Sequence, residues 1–427
     1  MSTSSRRGEL TALIGLLATA ALVSLGHQSA SAQEPQVDNC VACHGALDDE
    51  RLAGPVDAFH SDVHAERGFG CIACHGGDAT IAGFEGMDPA KGFVGRPRGR
   101  MLLDVCGRCH ADAGFMRQYN PSLRVDQIAE YVTSVHGQRL VQLGDTLVAT
   151  CASCHPAHNV RPPSDPNSSV HPLNVAGLCG SCHGDAAYMA PYGIPTDQPA
   201  RYEGSVHRRQ LVEAGDLSAP TCNDCHGNHG AAPPGLSWVG NVCGQCHATM
   251  GELFRESQHA ELFAMLGVPG CATCHGNHEI LDATTEFLGA TEGTACAQCH
   301  SPEDAGGAVA QQMRALIDSL DAQLDSAQHL LERAENRGME VSQAMFELEA
   351  ANNARIGARA AVHGFDLEAV ESEIAEGLVV TGAGLLAGEE ALAEWDFRRI
   401  GLAVSIVIIV GLISGLVLKI REMDRRA

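Results

Sequence analysis

Apolar positions follow three regimes along this chain. Met313, Leu316, Ile317, Leu320, Leu324, Ala327, Leu331 and Ala334 recur mostly at intervals of three and four, the stripe that one helix face turns to a core. Gly338 ends that predicted helix, while Val341, Met345 and Leu348 open a second. His363-Gly364-Phe365-Asp366 reads as a break, with Asp366 as N-cap of a third helix. Residues 400–418 abandon the period: IGLAVSIVIIVGLISGLVL is a run of 19 uncharged residues, long enough to span a bilayer as a helix. A shorter apolar run, Leu10 to Leu25, follows Arg6 and Arg7 and precedes Ala30-Ser31-Ala32, the layout of a secretory signal peptide.

Between leader and stripe no period holds. Gly, Pro, Asn and Asp punctuate the chain (RPPSDPN, PYGIPTDQP, GAAPPG), which predicts short helices and long loops with little or no sheet. The expected fold class is therefore mainly α with extensive loops. Its expected organisation is a signal peptide over 1–32, a first domain over 33–302 and a helical bundle or spacer over 303–397. A transmembrane helix over 399–419 and a tail over 420–427 complete it. Lys419, Arg421, Arg425 and Arg426 after the span mark a cytoplasmic flank, which puts the first domain in the periplasm of a bacterial inner-membrane protein. Gly411 and Gly415 have the G-x-x-x-G spacing that can seat a partner helix.

Cysteine changes the picture most. All 18 cysteines fall into nine C-x-x-C-H elements. The first five are Cys40, Cys43 and His44; Cys71, Cys74 and His75; Cys106, Cys109 and His110; Cys151, Cys154 and His155; and Cys179, Cys182 and His183. The other four are Cys222, Cys225 and His226; Cys243, Cys246 and His247; Cys271, Cys274 and His275; and Cys296, Cys299 and His300. Disulfides or zinc would account for the cysteine pairs but not for a histidine after every second one. Covalent c-type haem accounts for both, because two thiols bond the porphyrin edge and the adjacent histidine is the proximal iron ligand. Nine haems are implied. With only 4% aromatic residues in the chain, the porphyrins themselves would have to supply the buried apolar mass of residues 33–300.

Nine further histidines lie in that stretch as candidate distal ligands: His60, His64, His136, His158, His171, His207, His229, His259 and His278. His60 and His64 stand at i and i+4, so on one helix they would share a face. His158, His229 and His278 each follow a proximal histidine by three residues, too close to reach the opposite side of the same porphyrin. They are expected to serve a neighbouring haem. His363 in the later helical stretch is an alternative to His60 as the ninth distal ligand.

After the isolated first motif the rest form four pairs. Leading members are CIACHGG, CASCHPAH, CNDCHGNH and CATCHGNH, each with an upstream histidine; trailing members are VCGRCHA, LCGSCHG, VCGQCHA and ACAQCHS. This is an internal repeat that points to duplication of a two-haem unit. A net charge of −24 favours a basic partner face and excludes nucleic acid as a natural ligand.

The run SVH…PTCNDCHGNHG, with its paired C-x-x-C-H units, resembles the bacterial multihaem cytochromes c with doubled motifs, among them the low-potential periplasmic tetrahaem-type cytochromes. The resemblance covers roughly residues 38–300. It implies bis-histidine haems passing electrons from the quinone pool toward periplasmic or outer-surface acceptors, with redox proteins and a quinol-oxidising membrane subunit as partners. Membrane-anchored quinol-dehydrogenase cytochromes usually carry their anchor at the N-terminus; here it lies at the other end. The helical segment after the last motif is also similar, more faintly, to ammonia-forming nitrite reductases and hydroxylamine-oxidising enzymes. Those keep one haem with an open position, often through C-x-x-C-K, which this sequence lacks. The expected function is thus electron transfer within a respiratory complex. The alternative is a multihaem reductase of a small nitrogen or sulfur oxyanion, and a structural or haem-storage role comes third.

Overall fold

A computed structural model describes residues 38–234 and 242–426; the expected signal peptide lies outside the described residues. Among these residues the regular structure is helical, with no strand, and most helices before residue 300 are short. The described chain divides into two compact units, residues 38–125 with 151–161, and residues 126–150 with 162–426.

In the first unit, acidic caps start the helices where the sequence lacks a periodic stripe. Asp38 accepts from the amides of Cys40 and Val41 to open Asn39–His44, Asp49 opens Glu50–Phe59, and Asp62 opens Val63–Glu66. This corrects one expectation. The chain leaves the helix after Phe59 and starts another at Val63, so His60 and His64 do not share a helical face.

The second unit carries five of the motifs and three long helices: α1 (Ala305–Glu335), α2 (Ser342–Ala361) and α3 (Leu367–Arg426). Asp304 caps α1, and Asp366 accepts from the Glu368 amide at the start of α3. The stripe read from the sequence is the core: Met313, Ile317 and Leu320 meet Ala358, Val370 and Ile374, while Ala327, Leu331 and Ala334 meet Met339, Val341 and Leu348. Small residues let α3 approach closely. A Cβ on Gly377 would stand 2.7 Å from the Leu320 side chain, and one on Gly388 would stand 2.8 Å from Leu330.

The last helix of the bundle and the apolar span, expected as separate elements, are one continuous helix of 60 residues. Nothing between Leu367 and Ile400 breaks it, and pairs such as Glu394–Arg398 at i, i+4 support its exposed face. Its apolar window has a mean hydropathy of 2.8, and none of it is buried. Both contiguous clusters of buried apolar side chains lie largely within α1–α3, so among the described residues the C-x-x-C-H region has no comparable side-chain core.

Candidate haem-binding site

A common local device positions the upstream histidine of each leading motif. His64, His136, His207 and His259 are each the second residue of a helix whose N-cap is Asp62, Ser134, Ser205 or Ser257. The caps are buried, at 1% exposure for Asp62, Ser134 and Ser205. Gly137, next to His136, is required by a close approach: a Cβ there would lie 1.8 Å from the Tyr131 carbonyl oxygen.

The residue between cap and histidine spends its free amide on the loop after a downstream histidine. Val63 donates to the Val160 carbonyl at 2.9 Å, Val135 to Ala231 at 3.1 Å and Val206 to Ile280 at 2.7 Å. Each acceptor lies two residues beyond His158, His229 or His278. The sequence repeat is therefore a structural register: the segment after one leading motif docks on the helix start that carries an earlier upstream histidine.

That register brings histidine rings together in pairs. The upstream histidines stand opposite trailing motifs: His64 with His110 (ring centroids 6.0 Å apart), His136 with His183 (6.1 Å), His207 with His247 (6.3 Å) and His259 with His300 (6.2 Å). The downstream histidines stand opposite earlier leading motifs: His158 with His75 (5.7 Å) and His278 with His226 (6.0 Å). His363 lies 6.1 Å from His275. Every pair joins a motif histidine to a histidine outside the motifs.

Three candidates remain to be placed. His171 is 4% exposed and caps Pro172–His183, its Nδ1 accepting from the Leu173 amide at 3.3 Å. His60 is the exposed C-cap of Glu50–Phe59, and the imidazole of His229 lies 3.8 Å from the Glu130 carboxylate. His44 ends Asn39–His44, and the His155 amide donates to the Cys151 carbonyl.

Hydrogen bonds at Nδ1 orient several of the paired rings. His75 donates to the Gly95 carbonyl at 2.7 Å, His226 to Ala232 at 3.2 Å and His363 to Ala360 at 3.1 Å. His64 and His300 donate instead to carboxylates, Asp62 at 2.8 Å and Asp304 at 3.0 Å. An imidazole that donates from Nδ1 keeps the Nε2 lone pair for a metal. Burial, reinforced by the neighbouring ring, also holds His136, His158, His207, His259 and His278 below the ordinary histidine pKa, which favours the neutral ring. Burial would raise the Asp62 carboxyl, but hydrogen bonds from His64 and from the amides of His64 and Val160 outweigh it and lower its pKa.

The donor set fits haem. Iron bonded to two imidazoles at about 2 Å each requires about 4 Å between the nitrogens, with each ring centre about 1 Å further back. The observed centroid separations of 5.7–6.3 Å match that sum, and the shortest pair, His75–His158, has its Nε2 atoms 3.4 Å apart. Among the described residues no three acidic, cysteine or histidine side chains converge on one point.

The motif assigns both of its thiols to haem, but the fold marks the two unequally. Several first cysteines meet across successive motifs: Cys106 with Cys151, Cys179 with Cys222, and Cys243 with Cys271. The second cysteines are less enclosed. Cys43, Cys74, Cys225, Cys246 and Cys299 are exposed, while Cys109, Cys154, Cys182 and Cys274 are half-buried. Cys109 lies near Cys74, Cys246 near Cys225 and Cys299 near Cys274, while the Ser181 hydroxyl donates to the Cys182 Sγ at 4.0 Å. Packing by itself does not single out Cys43, Cys109, Cys154, Cys182, Cys246 or Cys299 as attachment points. For these six, attachment rests on the motif alone.

The sequence located the motifs and the candidate histidines but not which ring faces which. It also missed Asp62 and Asp304 behind two of the rings. The signal for Asp62 was present, since it holds the place that serine takes in the SVH repeats.

Residues 144–248, a stretch with four C-x-x-C-H motifs, match the family model described as Cytochrome c3. No curated protein and no solved structure matches the chain. The protein thus carries a cytochrome c3-like, multihaem region with covalently bound c-type haem.

Proposed function

We propose that this chain is a membrane-anchored nonahaem cytochrome that passes electrons through bis-histidine haems. In this reading it acts as a respiratory complex subunit between a quinol-linked membrane donor and periplasmic or outer-surface acceptors. The observation that carries the reading is the pairing of motif histidines with a second imidazole at the separation two axial ligands need, six of them with a histidine from the C-x-x-C-H region itself. Bound haem supplies one-electron chemistry at low potential, and two histidine ligands leave no open position for substrate. The protein's residues hold the ligands neutral, fix their tautomers through Nδ1, and set several attachment cysteines of successive motifs side by side. Both cysteines of each motif attach haem, the more open second thiols included. His44 and His155 take their second ligands from the remaining candidates, His60, His171 and His229.

The anchor reading rests on α3. Trp395, five residues before Ile400, is flanked by the guanidinium groups of Arg337 at 4.6 Å and Arg399 at 4.9 Å. An aromatic ring among cations next to an apolar span is the composition of a membrane–water interface. From Asp366 to Ile400 the helix rises about 50 Å at 1.5 Å per residue. The His363 end of the bundle therefore stands well away from the bilayer, and a quinol in the membrane needs a partner subunit to reach it. The test compares native membranes with the purified full-length protein in liposomes. A quinol analogue should reduce the haems rapidly in the first and slowly in the second. Equal rates would remove the partner, and no reduction in either would remove the quinol-linked role.

A further inference from the structure

The helical bundle holds one of the histidine pairs, and it does so where the repeat runs out. In the first three repeats the segment after a downstream histidine docks on the start of an upstream-histidine helix, through Val63–Val160, Val135–Ala231 and Val206–Ile280. No C-x-x-C-H-x-x-H element follows the fourth leading motif, Cys271, Cys274 and His275. The turn between α2 and α3 stands in its place. Phe365 stacks on His259, the upstream histidine of that fourth repeat, with ring centroids 3.8 Å apart, and also meets Phe254 at 6.4 Å. Residues 362–364 pack on the Ala248–Glu256 helix.

Two details show that the turn is shaped for this contact. Phe365 sits at φ +55°, a left-handed conformation that bulky residues rarely adopt and that is held only where surrounding packing imposes it. His363 donates from Nδ1 to the Ala360 carbonyl, and its plane lies within 18° of His275, 6.1 Å away. Its Nε2 lone pair is therefore left for a metal, the arrangement seen for His75 and His226 in their own pairs.

We infer that His363 is the distal ligand of the haem attached at Cys271 and Cys274, so the bundle that carries the apolar span completes a haem site. This rests on the bis-histidine reading above. The bundle is then bonded through iron to the haem chain as well as packed against it.

The test uses full-length detergent-solubilised protein, with haem counted in each sample. His363→Ala should keep its haem complement and gain a high-spin EPR signal of about one haem in nine, which added imidazole converts back to low-spin. His363→Met should stay low-spin with one haem shifted to higher potential. A His363→Ala protein whose spectrum equals that of the unaltered protein would overturn the inference. If His363→Ala fails to assemble, a His363→Met protein with an unchanged redox titration would overturn it equally. His329→Ala, at an 80% exposed side chain on α1, should change neither spectrum. High-spin haem throughout the unaltered protein would instead sink the bis-histidine reading itself.

Discussion

At the scale of single residues, what separates one haem site from another is the group behind its histidine. His75, His226 and His363 lean on backbone carbonyls, whereas His64 and His300 lean on carboxylates. Asp304 accepts from the amides of Gly307 and Ser301 and from His300, which together hold its pKa at about 2, so it is an anion at any working pH. An anion at Nδ1 makes the imidazole a stronger donor and stabilises the oxidised iron. Asp304→Asn keeps a good N-cap for α1 while removing the charge. It should raise the potential of the haem at Cys296 and Cys299, seen as one component moving in a spectroelectrochemical titration. An unmoved titration would mean that Asp304 serves only as a cap. This carboxylate was hidden in the sequence because an aspartate before a helix reads as a cap, and here the same oxygen does both jobs.

The helices show where sequence patterning reaches and where it stops. The period in 313–334 identified the buried face of α1 because a long helix that packs on others must repeat its apolar positions. Leu320 is fully buried at the centre of that face. Leu320→Ala should cost about 2–5 kcal/mol of bundle stability, read from the thermal unfolding of the full-length protein; a loss well below 1 kcal/mol would mean that the three helices are loosely packed. Before residue 300 no such period exists, because the apolar partner is a porphyrin rather than another side chain. Spacing within each motif was legible there, but the pairing of His158 with His75 or His278 with His226 depends on amide bonds between segments far apart in sequence. The continuity of α3 into the apolar span was missed for a different reason: a change in polarity along a helix looks like a boundary, yet the backbone has no cause to break.

On the scale of the whole molecule, the chain combines an acidic, histidine-paired haem region with a long helix that changes from bundle to apolar span. In the proposed function iron, not a conventional core, links the repeats through paired imidazoles. EPR of the oxidised, full-length protein in detergent, with haem quantified on the same sample, tests it most directly. The expected result is nine haems per chain, matching the nine motifs, and low-spin signals alone. A high-spin component of one haem or more would contradict it, and would point to an open iron site and a reductase.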